Sequence, residues 1–239
     1  QLVTAVELYS APFKRDSARL KVGNAYEKML NAAKPGSDHQ LQFARNLTSF
    51  ASSAEHNDLI KELLDGKLAG LKVDADLRWT FVIALAERGL MDQQALAAEL
   101  LKDNTLTGQL SHATALAALP TPEAKAQTWK SITTEEISTS QREAKIAGFM
   151  RALHRPLLAS YVDPYFDLLL ETWGKKSYEV ASKFVMGMYP TFITTQATLD
   201  KTITWLNTTG KDGQAGLVRL VSEGRDALER ALKVQAKDK

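Results

Sequence analysis

The sequence predicts an all-α protein, and three observations carry that prediction. Apolar residues recur at three- and four-residue spacing along nearly all of the 239 residues. Short clusters of Gly, Pro, Ser, Thr and Asp punctuate those periods, and no run alternates in the manner of a β-strand. Helix pairs follow one another every ~30 to 40 residues, the repeat length of two-helix solenoids. The expected architecture is an irregular α-solenoid of the HEAT or armadillo type, with about twelve antiparallel helices in a single helical-repeat domain over residues 1–239. A compact multi-helix bundle is the competing arrangement, and no stretch is long enough to link two domains.

Taken in order, Gln1 to Ala11 opens as though already inside a helix, with neither an initiator methionine nor a signal-peptide pattern, and reads as cut from a longer chain. Pro12 begins a long helix carrying Leu20, Val22, Tyr26, Met29 and Leu30, which Lys34-Pro35-Gly36 stops. Ser37 and Gln40 form a capping-box pattern at the head of a third helix reaching Ser52. Leu59 to Leu64 is a short helix closed by Asp65-Gly66. Asp74 to Gly89 is the most self-contained unit. Leu77, Phe81, Ala84 and Leu85 mark one buried face, while Trp79, Val82, Ile83 and Ala86 widen the apolar arc, so this helix is covered on more than one side. Asp74 or Asp76 caps its start, and Gly89 supplies the left-handed residue that ends it.

Downstream, helices are expected over Asp92 to Leu101 and Leu106 to Leu119, with another opened by the Thr121-Pro122-Glu123 cap. The same grammar recurs at Asp163-Pro164, ahead of Tyr165 to Trp173. Further helices cover Ser140 to Leu153, Ser177 to Met188, Leu199 to Leu206 and Leu217 to Ala236, with breaks at Pro156, Gly174, Pro190 and Gly210. The charged tail Lys237-Asp238-Lys239 is expected to fray.

Thirty basic and twenty-eight acidic side chains leave a formal charge of +2, which favours neither nucleic acid nor an anionic membrane surface as partner. No apolar run approaches the roughly 20 residues that span a bilayer. The absence of cysteine excludes disulfides, thiolate metal sites and a cysteine nucleophile, and suits a reducing, cytoplasmic setting. No two of His39, His56, His112 and His154 lie four residues apart, so there is no H-E-x-x-H zinc helix, and each histidine reads as a surface or capping residue. Phosphate loops and serine hydrolase signatures are absent as well. No catalytic residue and no metal ligand is predicted.

Weaker signals come from charge. Arg142, Lys145, Arg151, His154 and Arg155 form a basic stretch suited to a peptide carboxylate or an acidic neighbour, with a solvated face as the plainer reading. Arg78, Arg142 and Lys145 are the candidates for contacts in a groove. The carboxylate pairs Asp74/Asp76 and Glu135/Glu136 stand at helix starts, where capping and dipole roles explain them. Trp79, Trp129, Trp173 and Trp205, with Tyr165, Phe166, Phe184, Met186, Met188 and Tyr189, have the spacing of core residues.

Particular words of the sequence say more. Pro35-Gly36-Ser37-Asp38 with Gln40-Leu41, Asp76-Leu77-Arg78-Trp79, Pro120-Thr121-Pro122-Glu123-Ala124-Lys125, Tyr161-Val162-Asp163-Pro164-Tyr165-Phe166, and Glu223-Gly224-Arg225-Asp226 with Arg230-Ala231-Leu232 occur in one order. Together they resemble the C-terminal helical domain of bacterial aminopeptidase N, a zinc gluzincin-type metalloaminopeptidase family whose last part is the endoplasmic-reticulum-aminopeptidase-like C-terminal domain. The resemblance runs from about Pro35 to the end.

That resemblance implies a parent enzyme, of the membrane alanyl aminopeptidase type, that releases amino acids from the free N-terminus of peptides. Its H-E-x-x-H zinc site and G-[AG]-M-E-N substrate strand have no counterpart here. The implied role is a cap that encloses the active-site chamber and limits substrate access, inactive alone. Zinc belongs to the catalytic domain of the parent, and the implied partners are that N-terminal catalytic domain and the peptide substrate. An apolar patch near the N-terminal helices or along one solenoid edge is expected where the two domains met. A freestanding helical-repeat adaptor that binds another protein is the second reading, and it leaves the shared words unexplained.

Overall fold

The computed structural model describes residues 1–238. Among them all regular structure is helical. A short opening segment, α1 (Leu2–Thr4) with a π-helical turn (Ala5–Tyr9) and a 3-10 turn (Pro12–Lys14), precedes α2 (Arg15–Ala32), α3 (Asp38–Phe50), α4 (Ala54–Leu64) and α5 (Ala75–Glu87). Then come α6 (Gln93–Lys102), α7 (Leu106–Ala117), α8 (Pro122–Thr134) and α9 (Thr139–Phe149). The short α10 (Arg155–Leu158) leads to α11 (Val162–Lys175), α12 (Tyr178–Gly187), α13 (Gln196–Asn207) and α14 (Ala215–Gln235). Setting aside the three-residue α1 and four-residue α10, twelve helices remain.

Those twelve pack as six successive pairs: α2 on α3, α4 on α5, α6 on α7, α8 on α9, α11 on α12 and α13 on α14. The second members also stack on one another in a row, α3, α5, α7, α9, α12, α14. This spine of stacked hairpins is compatible with the expected solenoid. The core advances along it in three apolar clusters. The first contains Leu47, Ile60, Leu63 and Phe81, the second Trp79, Val82, Leu96 and Leu119, and the third Phe149, Tyr165, Phe184, Trp205 and Leu217. Helix α5 feeds the first cluster with Leu77, Phe81 and Leu85 and the second with Trp79, Val82 and Ala86, which is the two-sided burial its wide apolar arc requires. Helices α7 and α9 approach closely at Gly148. A Cβ at Gly148 would lie 2.1 Å from the Thr114 carbonyl oxygen, so only glycine fits there. Thr114 Oγ1 crosses the same seam to the Ala144 carbonyl at 3.0 Å.

Local signals mostly hold. Asp74 Oδ1 accepts from the Leu77 amide at 2.9 Å, and Gly89 ends the turn after α5 at φ +70°. Three readings change. Ser37 does cap α3, but Gln40 is buried and reaches past it, accepting from the Gly36 amide at 2.8 Å and donating to the Ala69 carbonyl at 3.0 Å. It stitches two loops together instead of closing the box, and the reciprocal box stands at Ser138 and Gln141. Asp163-Pro164 does not open a helix, because α11 continues the 3-10 turn Ala159–Tyr161 from Val162. Pro164 falls at the third position, where an N–H would lack a helical partner anyway, and Asp163 pairs with Lys201 at 3.0 Å. The tail is anchored at Asp238, whose carboxylate accepts from the Ala11 amide at 2.8 Å and from Lys14 Nζ at 2.9 Å. Lys239 lies outside the described residues.

Residues 5–9 form a strap that packs on both α2 and α14, joining the first helix pair to the last. Val6 is its apolar anchor, and Gln235 Nε2 donates to the Leu8 carbonyl at 2.5 Å. Glu7 is its polar one, with a side chain only 4% exposed. Arg19 of α2 donates to it through Nε and Nη2, each at 3.0 Å. Arg155 of α10 donates through Nη1 to the carboxylate at 3.0 Å and through Nη2 to the Glu7 carbonyl at 2.6 Å.

Removing the charge while leaving two arginines buried should cost about 3–5 kcal/mol, so Glu7→Gln is expected to lower the urea midpoint sharply. A loss under about 1 kcal/mol would show that the strap does not hold the ends together. Gly148→Ala should cost about 1–3 kcal/mol by forcing α7 and α9 apart, read from the same unfolding curve.

Candidate functional site

Under the strap lies a cleft of about 360 Å³. Glu7 lies on its strap side, and the C-terminal halves of α3 and α5 form one wall with Thr48, Ser49, Thr80, Ile83 and Glu87. The opposite wall is the Met150 to Leu153 turn with Phe192. That turn exists because α9 stops at Phe149: Met150 leaves helical geometry at ψ 67° and Arg151 is extended at φ −101°, ψ 129°. Arg151, the extended residue, lines the cleft with its Nε buried behind the surface.

Behind these walls the ends of four spine helices are held by buried cations. Arg88 donates to the Thr48 carbonyl at 2.7 Å, the Ala51 carbonyl at 2.9 Å and the Ala84 carbonyl at 2.7 Å, closing the C-terminal ends of α3 and α5. Lys125 of α8 does the same for α7 and α9. Its Nζ donates to the carbonyls of Ala117 at 2.7 Å, Phe149 at 3.2 Å and Gly148 at 3.4 Å. These are the carbonyls that a helix leaves without partners and where its dipole is negative. Burial, helped by Arg151, still pulls the Lys125 ammonium down to about 7, with Glu87 acting against that fall.

His154 completes the group. Its Nε2 is 2.8 Å from the Glu87 carbonyl, and since a carbonyl only accepts, Nε2 carries the proton. Burial, then the Lys125, Arg151 and Arg88 charges, hold the imidazole down at about 4. The hydrogen bond to Glu87 opposes this and does not win.

Two charges in the cleft remain unmatched. Among the described residues the Arg151 guanidinium makes no hydrogen bond, and its Nε is buried without a partner. The Glu87 carboxylate has one ion pair, a distant 3.9 Å contact to Arg88 Nη1.

A second cleft of about 360 Å³ opens among α6, α7, α8 and α9. There Lys145 donates to Ser131 Oγ, and Ser131 Oγ donates to Glu135 Oε2 at 2.5 Å, with His112 alongside. Of the three groove candidates this cleft takes Lys145. Arg142 is nearby but buried, donating to the Glu135 carbonyl at 3.2 Å. Arg78 sits apart, gripping Glu99 through Nε at 2.6 Å and Nη2 at 2.9 Å and the Leu64 carbonyl through Nη1 at 3.2 Å.

The basic stretch did contain one residue of the first cleft, Arg151, and Arg155 does meet an acidic neighbour, Glu7. Sequence reasoning missed Glu7, Glu87, Arg88 and Lys125. It also placed the histidines on the surface or at caps, whereas His56 and His154 are buried. Each has a backbone partner that makes burial tolerable: the Ser52 amide donates to His56 Nδ1 at 3.3 Å, and His154 donates to Glu87. Exposed apolar side chains do occur near the N-terminus, at Leu2, Val3, Phe13 and Leu20, and others flank the α6–α7 loop at Leu101 and Leu106. Among the described residues no three His, Asp or Glu side chains converge to hold a metal ion, and no helix is long and apolar enough to cross a membrane.

Compared with known proteins, residues 1–230 match the ERAP1-like C-terminal domain. The chain belongs to that family. It is also 41% identical over 241 residues to aminopeptidase N of Streptomyces lividans, a similarity covering all of this chain and 28% of that protein. The chain therefore spans little more than a quarter of the length of this relative.

The polar centre of this ERAP1-like C-terminal domain places charges of both signs in one cleft, a chemistry suited to binding. Its buried imidazole also sets a pH dependence. Unfolded, His154 titrates near 6.5; folded, it titrates near 4. Between those values the unfolded chain holds a proton that the folded one does not, so stability falls as pH drops through that window and is indifferent to His154 above it. The contribution is roughly 3 kcal/mol. His154→Gln, which keeps a donor for the Glu87 carbonyl, should flatten the dependence of the unfolding midpoint between pH 4 and 6.5. An unchanged slope would mean that this imidazole is protonated in the fold.

Proposed function

We propose that this ERAP1-like C-terminal domain is the cap of a cytoplasmic zinc aminopeptidase that releases N-terminal amino acids from peptides. Docked on its own N-terminal catalytic domain, it encloses the active-site chamber, limits which peptides enter, and breaks no bond itself. The observation that carries this reading is the match of the entire chain to 28% of an aminopeptidase N. Among the described residues no three His, Asp or Glu side chains converge to hold a metal ion, and the zinc of this reading belongs to the catalytic domain.

A cap works by shape. A wall of stacked helices excludes water and bulky substrates from the chamber, and its approach and withdrawal gate entry and release. Buried ion pairs suit such a wall, because they fix the helix pairs relative to one another. The exposed apolar residues Leu2, Val3, Phe13 and Leu20 are the surface we assign to the interface with the catalytic domain. Of the groove candidates, Lys145 lines an open cleft and is the one we assign to peptide contact, while Arg78 and Arg142 are engaged with Glu99 and the Glu135 carbonyl.

Release of the N-terminal amino acid from a chromogenic amide separates the readings. The longer parent is expected to show zinc-dependent activity and the 239-residue chain none. Zinc-dependent turnover by the purified chain, persisting through independent preparations, would overturn the cap assignment. Absence of turnover from the parent as well would favour an adaptor.

A further inference from the structure

We propose that the cleft beneath the strap is a binding site for a free amino acid with an apolar side chain, held as its zwitterion. The site stands on the geometry of this chain alone and is independent of whether the chain caps a catalytic domain.

Arg151 and Glu87 both line the cleft, yet no ion pair joins them. They are nevertheless fixed relative to each other through His154. Its amide donates to the Arg151 carbonyl at 2.9 Å, and its ring donates to the Glu87 carbonyl at 2.8 Å. Two opposite charges are thus held on one cleft by the same residue, and neither is neutralised by the other. A guanidinium without hydrogen bonds offers a planar fork for a carboxylate, and a half-buried carboxylate without hydrogen bonds accepts from an ammonium.

An anion alone would meet Glu87, and a cation alone would meet Arg151. A zwitterion satisfies both. Beside the polar Thr48, Ser49 and Thr80, the lining offers an apolar share in Ile83, Met150, Leu153 and Phe192, which suits an aliphatic or thioether side chain. The cleft volume of about 360 Å³ lies at the low end of small-molecule sites, enough for one amino acid and cramped for a longer peptide. The second cleft differs in just this respect, because its Lys145 and Glu135 are already joined through Ser131.

Hydrogen–deuterium exchange with mass spectrometry tests the site on the protein alone and within a longer parent, because the readout is local to the cleft. L-Leucine is expected to protect the amides of residues 150–154. Half-protection should need roughly tenfold more leucinamide or N-acetylleucine, each lacking one charge. Arg151→Gln and Glu87→Gln should shift the leucine midpoint by roughly the same factor, with protection of the α7 and α9 amides showing that each variant is folded. No protection of residues 150–154 up to about 20 mM leucine would overturn the proposal. So would protection that both singly charged analogues match, or that Arg151→Gln leaves unchanged. None of these outcomes bears on the cap reading, which is decided by turnover in the parent and in the chain.

Discussion

The Glu7 carboxylate, held between Arg19 and Arg155, is the contact on which the arrangement of the rest depends. A stack of helix pairs has no intrinsic reason for its ends to meet, since each pair is stabilised by its neighbours. Here a strap of five residues reaches both the first pair and the last. It has little apolar surface to bury, with Val6 its one core residue, so an ion cluster supplies the attachment. Buried charges are tolerated only when they are paired and hydrogen-bonded, and Glu7 is saturated by two guanidinium groups. That saturation makes the joint specific: neither arginine can be satisfied if α2 and α10 drift apart.

A second consequence follows from the direction of the spine. The C-terminal ends of α3, α5, α7 and α9 are drawn together around Arg88 and Lys125, so the negative ends of four helix dipoles converge on one region. Fixed positive side chains are the remedy, and they account for a strongly basic centre in a chain whose formal charge is only +2. Basic character here is an internal matter of helix termini, which is why it signals no affinity for nucleic acid. Arg151 is the exception in the group, its guanidinium being close to these helix ends but making no hydrogen bond to them.

The legible parts of the fold are those written locally. Asp74, Asp92, Thr121 and Ser177 each cap a helix from within three residues, and each accepts the amide that its position in the sequence designates. The wide apolar arc of α5 announced that two cores would share it. What escaped notice has no local signature. Glu7 and Arg155 are separated by 148 residues, and nothing near either names the other. Lys125 stands in a helix that looks solvated, and only the arrival of Gly148 and Phe149 from the next helix turns it into a buried clamp. His154 was isolated in the sequence and therefore looked exposed; its partner is a backbone carbonyl, and backbone carbonyls are everywhere. The Gln40 misreading is of the same kind, a capping side chain diverted by a loop that lies 29 residues further on.

The two clefts then differ for a structural reason. Where α8 and α9 pack side by side, Lys145 and Glu135 reach the same serine and cancel. Beneath the strap, by contrast, Arg151 projects from a turn that begins where α9 ends, and Glu87 sits at the last residue of α5. Helix ends cannot slide to bring such charges together without breaking the clamps at Arg88 and Lys125. An unpaired arginine and a glutamate left with one distant ion pair are therefore a product of the same constraint that fixes the fold. A cleft built in this way keeps both charges available to whatever small molecule carries their complements.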